Sequence, residues 1–171
     1  LDVPVEWDKI ANIVEAGRFA PSSGNIQNFR FIVVTDQGKR QKLTDACLEQ
    51  QWMMQAPVHI VIVADTTLAR QYYGVRGERL YMVQNCAAAA QNMLIAATAV
   101  GLGSCWIGAF EEDMVKSIFD IPDYARPQAI ITLGYADEEP VVPPTFSIEH
   151  MTYLEGWGGK IRDGAVFGSY Y

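Results

Sequence analysis

The feature that most constrains the fold is a long apolar segment near the middle of the 171-residue chain. Residues 86–100 read CAAAAQNMLIAATAV, a run rich in Ala, Leu and Met with no internal Gly or Pro, and Gly101 follows at once. These residue types favour a helix, and the pattern predicts one over 78–100. Because the segment is apolar on nearly every side, we expect a central helix buried against a sheet and a second subunit.

Short runs of β-branched and aromatic residues predict the strands that this helix would cover. In chain order they read FRFIVVT (29–35), VHIVIVAD (58–65), SCWIGAF (104–110, a short strand or extended turn) and QAIITLGYAD (128–137). Helical spacing of apolar residues predicts three further helices, over 5–19, 39–54 and 111–119. The stretch around Tyr72–Gly77 shows neither pattern, and we interpret it as a looser connection.

Length, charge and composition narrow the class of protein. Half of the residues are hydrophobic and 19% are charged, which is typical of one globular domain. The formal charge of −7 and the scattered acidic residues argue against nucleic acid or an anionic membrane as the main partner. No apolar run reaches the roughly 18–20 residues of a membrane span, and the first residues lack a signal-peptide pattern, so we expect a cytoplasmic protein.

The cysteines and histidines of this sequence are not candidates for catalysis or metal binding. Cys47, Cys86 and Cys105 show neither a close pair nor metal-ligand spacing, so we expect reduced, mostly buried thiols, no disulfide and no metal site. His59 lies in an apolar strand and His150 in the irregular C-terminal part, and neither has a matching Ser, Cys or carboxylate constellation. We assign no catalytic role to either histidine.

Two polar or glycine-rich stretches are the candidate binding sites. Residues 20–29, APSSGNIQNF, place short hydrogen-bonding side chains between the first helix and the first strand. Such a cluster either caps and turns the chain or binds a ligand, and the stretch alone leaves both readings open. Residues 101–110, GLGSCWIGAF, favour the ligand, because glycines let a planar group approach the main chain closely.

Together with the Ala-rich helix, these stretches resemble the FMN-dependent nitroreductase family. The family pattern is A-P-S-S-x-N-x-Q-P-W/F-x-F, then G-L-G-x-x-W-I-G-A-F, then L-G-Y, and the corresponding motifs here are 20–31, 101–110 and 133–135. Asn28 stands where the family usually has Pro. The family's N-terminal R-R-S-x-R motif, which grips the FMN phosphate, is absent, and we expect it upstream of Leu1.

The resemblance implies an α+β fold with a central mixed, mainly antiparallel sheet that is wrapped by helices. It also implies an intertwined homodimer with an extended C-terminal arm. Residues 1–140 would be the FMN-binding part and 141–171 the arm of the same single domain. Aromatic side chains are the expected anchors of the arm, namely Phe146, Tyr153, Trp157, Phe167, Tyr170 and Tyr171.

The resemblance also assigns residues to the cofactor FMN. The expected contacts from the first stretch are Pro21, Ser22, Ser23, Asn25 and Gln27, with the two serines serving the flavin of the partner subunit. The expected contacts from the second are Trp106, Ile107, Gly108 and Ala109, with a backbone N–H near Gly108 or Ala109 facing N5 of the flavin. The phosphate would fall to the upstream motif, or else to Lys160 and Arg162 or to Arg76 and Arg79.

The implied activity is hydride transfer through the flavin. NAD(P)H would reduce FMN and leave, and a nitroaromatic, quinone or similar flat acceptor would then take its place in a ping-pong cycle. No side chain of the protein is expected to be catalytic. Two other readings stay open: a relative that uses FMN for reductive dehalogenation or flavin breakdown, and a flavin-binding module without turnover.

Overall fold

The computed structural model describes Leu1 and residues 3–159, and its centre is a four-stranded sheet. The strands are β1 (Phe29–Val34), β2 (Val58–Asp65), β3 (Gly103–Ile107) and β4 (Ala125–Gly134), in the spatial order β1-β2-β4-β3. All three pairings are antiparallel, so the described strands contain no parallel pair. The predicted α+β class with a mainly antiparallel sheet is confirmed.

Helices cover both faces of this sheet. They are α1 (Trp7–Arg18), α2 (Gln37–Ala46), α3 (Thr66–Arg76), α4 (Met82–Ala99) and α5 (Glu112–Phe119). A single further turn, α6 (Ile148–Met151), lies later in the chain and belongs to a second unit. None of the helices in the described part of the chain is both long and apolar enough to cross a membrane.

Alternation along the two central strands divides the interior into two cores. Ile60, Ile62 and Ala64 of β2 pack with α1 and α4, whereas Val61 and Val63 pack with α2 and α5. Successive side chains of a strand point to opposite faces, so one apolar strand supplies both cores. This explains why β2 reads as a continuous apolar run instead of an alternating one.

The structure corrects two predicted elements. The helix expected over 39–54 ends at Ala46, because Leu48 and Glu49 adopt positive φ values of 57° and 55°, and a separate 3₁₀ turn covers Gln51–Gln55. Most of the stretch interpreted as a loose connection lies in the helix α3, which is interrupted at Gly74 (φ 56°, ψ −143°). Asp65 starts it by accepting a hydrogen bond from the Thr67 backbone N–H at 3.0 Å, and a π-helical turn, Gly77–Tyr81, joins it to α4.

The central helix α4 is buried on one face only within this single chain. The buried residues include Cys86, Ala90 and Met93, but 60% of Ile95 and 42% of Val83 are exposed. The expected burial against the sheet is observed, and burial of the other face against a second subunit stays a prediction. An apolar face of α4 is left on the surface.

The chain divides after Asp137, and the described residues 138–159 belong to a second unit. Its described part has little regular structure besides α6, and two aromatic pairs organise it: Phe146 with His150, centroids 4.8 Å apart, and Tyr153 with Trp157, 5.1 Å apart. The expected anchors Phe167, Tyr170 and Tyr171 lie outside the described residues. The division into 1–140 and 141–171 stays a prediction.

His59 is a fully buried histidine in the core between β2 and α2. Its Nε2 lies 2.9 Å from the Met53 carbonyl oxygen, and its Nδ1 has no hydrogen-bond partner in the described part of the chain. Burial lowers the pKa of His59, and the nearby positive charge of Arg40 lowers it further. The side chain is therefore held neutral, which agrees with a structural role.

We expect the free energy of unfolding to fall as the pH drops from about 7 to about 5, because the unfolded chain protonates His59 more readily than the folded chain does. His59→Gln retains an amide donor for Met53 and cannot titrate, so its unfolding free energy should depend less on pH in this range. Urea titrations at several pH values measure this, with exposed His150→Gln as the control. An unchanged pH dependence in His59→Gln would contradict the assignment.

Candidate flavin site

The polar junction between α1 and β1 is a compact loop with unusual backbone conformations. Residues Ser23–Asn25 form a 3₁₀ turn, and Gly24, Asn25 and Gln27 have positive φ values of 53°, 58° and 45°. Asn tolerates this region better than most residues, whereas Gln pays a conformational cost. Strain of this kind is common at functional sites.

Hydrogen bonds within the junction hold these residues together. The Ser22 hydroxyl oxygen accepts a bond from the Gln27 backbone N–H at 3.0 Å, and the Gln27 side chain donates to Asn25 Oδ1 at 3.0 Å. Arg30 donates to the Gln27 carbonyl at 3.0 Å, so it fastens the loop to β1. The structure thus brings the five predicted residues of this stretch into one loop, where Pro21, Asn25 and Gln27 are exposed.

Asn85 of α4 anchors the junction, and the sequence analysis missed it. Its Oδ1 accepts the Ser23 backbone N–H at 3.0 Å, and its Nδ2 donates to Ser23 Oγ at 3.1 Å and to Asn28 Oδ1 at 2.7 Å. Both asparagines are buried. The only available signal was one amide in an otherwise apolar helical face.

The second stretch begins where α4 ends. Gly101 has a φ of 80°, which Gly adopts without strain, and the Leu102 N–H then donates to the Ala97 carbonyl at 2.8 Å to close the helix end. The chain continues as β3, an edge strand of the sheet. Trp106 is 39% exposed, whereas the Ile107 side chain is buried in the core beside α5 and offers only its backbone to a ligand.

The turn after β3 is exposed, and two hydrogen bonds hold it to the end of α2 and the segment that follows. The Glu111 N–H donates to the Ala46 carbonyl at 2.8 Å, and the Gln50 amide reaches the Ala109 carbonyl at 3.4 Å. Within the described residues, the backbone N–H groups of Gly108 and Ala109 donate to no acceptor of the chain. The turn therefore presents two N–H donors to the surface beside an aromatic side chain.

Cys105 is exposed, so the expectation that it is a buried apolar residue is wrong. It lines an open groove of about 370 Å³ between α4 and β3, together with Gln91, Leu94, Ile95, Thr98, Ser104 and Trp106. Partial burial raises the pKa of its thiol, which disfavours the nucleophilic thiolate. Cys47 and Cys86 are free and buried as expected, and burial raises the pKa of each to about 12.

The polar junction and the turn after β3 (residues 108–110, here called the glycine turn) lie at the same end of the sheet but on opposite edges. The junction precedes β1 and the glycine turn follows β3, which are the two outermost strands. Phe29 pairs with Ala64 and Ala64 with Arg126, while Ile107 pairs with Ile130 on β4. Three strand spacings separate β1 from β3, or about 14 Å. One chain therefore assembles each set of predicted residues but does not bring the two sets into contact through the sheet.

Of the four basic residues considered for the FMN phosphate, the structure describes Arg76 and Arg79. Lys160 and Arg162 lie outside the described residues. Arg76 donates to the Tyr81 hydroxyl at 3.0 Å and stacks on its ring, and Arg79 is exposed one turn later. Arg79 is the more available of these two.

We expect Gly24→Ala to lower the free energy of unfolding by about 1–3 kcal/mol, because alanine is strained at a positive φ and its Cβ would collide with the Tyr73 hydroxyl. Chemical denaturation measures the loss. Gly108→Ala is the control, because its Cβ meets only Trp106 at an ordinary 3.7 Å. Adding Tyr73→Phe removes the hydroxyl, so it should restore only the part of the unfolding free energy that the collision costs. Full recovery of the unfolding free energy would argue against backbone strain.

Comparison with known proteins identifies the family. The model described as "Nitroreductase family" matches residues 1–52 and 48–135. An Archaeoglobus fulgidus protein, provisionally named NADH dehydrogenase/NAD(P)H nitroreductase, is 34% identical over 142 residues, which are 81% of this chain and 78% of that protein. The Bacillus subtilis protein named FMN reductase (NADPH) is 28% identical over 85% of this chain and 66% of its own length.

A solved structure agrees with these sequence matches. An FMN-dependent nitroreductase of Clostridium difficile is 26% identical, superposes with a TM-score of 0.76, and shares 91% of each chain. The same antiparallel sheet and helices are therefore present in a protein of that name. By fold and by the residues that match the family model, this chain belongs to the nitroreductase family.

Proposed function

We propose that this chain is an NAD(P)H-dependent oxidoreductase that binds FMN through the polar junction and the glycine turn. The observation that carries the proposal is the exposed turn at Gly108 and Ala109, whose backbone N–H groups have no acceptor among the described residues and which follows the partly exposed Trp106 side chain. An aromatic face beside main-chain donors suits a flat, polar-edged ring.

The names of related proteins support the choice of cofactor. The Bacillus subtilis relative is named as an FMN reductase that uses NADPH, and the Clostridium difficile structure as an FMN-dependent nitroreductase. We extend FMN and NAD(P)H to this chain on that basis.

The described residues fit an isoalloxazine group. The serine hydroxyls of the junction each accept one hydrogen bond and retain an O–H that can donate to a ring or ribityl oxygen. Pro21, Asn25 and Gln27 would line the same side, while Trp106 and the backbone of Ile107–Ala109 would cover the other. When bound, FMN supplies a two-electron carrier that accepts and returns hydride.

We propose that the chain's own groups bind and orient the ring instead of reacting with it. The Gly108 or Ala109 N–H would donate to the edge of the oxidised ring, where it would withdraw electron density and make the ring a better hydride acceptor. Cys105 and His59 have no part in this scheme, since burial raises the thiol pKa of the first and the second is fully buried and bonded to the Met53 carbonyl.

We propose that two copies of the chain complete each site. The junction and the glycine turn lie on opposite edges of one sheet, so a second copy that packs near β3 would bring its own junction to the turn. The exposed apolar face of α4, with Ile95 60% exposed beside the groove, supports an interface there. Trp157 of the second unit, 94% exposed, supports an arm that anchors on a partner.

We further propose a ping-pong order, in which NAD(P)H leaves before a flat acceptor such as a nitroaromatic or a quinone enters. Anaerobic stopped-flow spectroscopy of the FMN-loaded, full-length protein tests this. NADH or NADPH should bleach the yellow absorbance, and a later mix with acceptor should restore it. Yellow protein that neither donor bleaches would favour other flavin chemistry or a module without turnover, and colourless protein that refuses added FMN would overturn the proposal.

Gly108→Leu should weaken FMN binding by about tenfold or more while leaving thermal stability unchanged. A Cβ at Gly108 meets only Trp106, at 3.7 Å, so the side chain would extend from the exposed turn toward the ligand. Fluorescence titration gives the Kd and calorimetry the stability. Gly156→Leu, where a Cβ meets nothing within 4 Å, is the control. Normal affinity in Gly108→Leu would remove the turn from the site.

A further inference from the structure

Asn85 is a polar side chain in the buried face of α4, and only 5% of it is exposed. The neighbours on that face are Met82, Cys86 and Ala89, none of which competes for its hydrogen bonds. All three of its recorded bonds run to the polar junction, and two of them hold Ser23. A buried amide with such partners fixes the position of what it binds.

The hydrogen bond from the Ser23 backbone N–H fixes which way round the Asn85 amide lies, and this orients the other hydrogen bonds of the network. Ser23 begins the 3₁₀ turn, so its N–H has no acceptor within that turn and donates to Asn85 Oδ1 at 3.0 Å. The Asn85 Nδ2 must then face Ser23 Oγ and Asn28 Oδ1. Asn28 is thereby turned so that its own Nδ2 is buried without a partner in the described part of the chain.

The network couples the central helix to the loop that carries the predicted ligand contacts. Gly24, Asn25 and Gln27 follow Ser23 at positive φ, and no other recorded side-chain bond joins this described loop to α4. Without the Asn85 acceptor, the partly buried Ser23 N–H would lose its partner and the turn would shift. The serine hydroxyls would then lose their placement.

We propose that Asn85 is a positioning residue of the flavin site, which acts through the Ser23 backbone, and that Asn28 completes its hydrogen bonding. This inference rests on the proposed function, because the affected loop is the one assigned to FMN. Asn85 itself is buried and is not a ligand of the cofactor.

Three substitutions on α4 in the full-length protein test the role. Asn85→Ala suits an Ala-rich helix but removes all three bonds, and we expect the Kd for FMN to rise about tenfold. Asn85→Asp retains an acceptor for the Ser23 N–H, and Asn28 can rotate so that its unpartnered Nδ2 donates to the carboxylate. We therefore expect Asp to restore the Kd to within about threefold of the wild-type value.

Asn92→Ala is the matched control, because Asn92 lies two turns along α4 and donates to the Ala16 carbonyl of α1 at 3.1 Å. It should lower the melting temperature and leave the Kd for FMN unchanged, as would any purely structural role. The flavin absorbance maximum is a second readout, which should shift in Asn85→Ala and not in Asn92→Ala. Should Asn85→Ala fail to fold, Asn85→Ser, too short to reach Ser23, carries the same expectation.

The outcomes separate this inference from the proposed function. FMN binding by the wild-type protein together with wild-type affinity in Asn85→Ala would overturn the positioning role alone. Equal losses of affinity in Asn85→Ala and Asn92→Ala, or no recovery in Asn85→Asp, would overturn it as well. Failure of the wild-type protein to bind FMN would overturn the proposed function, and this inference with it.

Discussion

Burial of one face of α4 against β2 and β4 is the contact on which the rest of the first unit depends. It joins Ile60, Ile62 and Ile131 of the sheet to Ala89, Ala90 and Met93 of the helix in one core. Apolar burial is the dominant favourable term in folding. Small side chains keep the helix close to the sheet, and α1 approaches so near that Gly17 has the Met93 side chain where a Cβ would stand.

That same helix links the two stretches that we propose bind FMN. Its first turns carry Asn85, which holds the junction before β1, and its last residues lead through Gly101 into β3. The turn after β3 is held by α2, because the Glu111 N–H donates to the Ala46 carbonyl. A rigid scaffold thus positions two loops that have little regular structure of their own, which is the usual division of labour between elements and loops.

Patterns of apolar residues were enough to predict the sheet and most of the helices. β2 and α4 are long, uniform and bounded by Pro57 and Gly101, so their type was unambiguous. The errors lie where local geometry decides. Nothing in the pattern excluded a helix beyond Ala46, although Leu48 and Glu49 turn left-handed, and the capping role of Asp65 was hidden by its place at the end of a strand.

In the candidate site, too, the features set by local sequence were predictable and those set by long-range contacts were not. The motifs marked both stretches, but Asn85, which anchors Ser23, lies 62 positions away in the chain, and no local pattern indicates a contact of that range. The exposure of Cys105 and Ile95 was likewise unpredictable, because an apolar helix or strand does not reveal which side remains uncovered.

The separation of the junction from the glycine turn by two central strands has a consequence for how such a protein would be loaded. If each FMN pocket takes one half from each of two copies, FMN binding requires the dimer. The occupied fraction of the pockets then increases with the protein concentration. Dilution would then release the yellow prosthetic group and the subunits in a single coupled equilibrium.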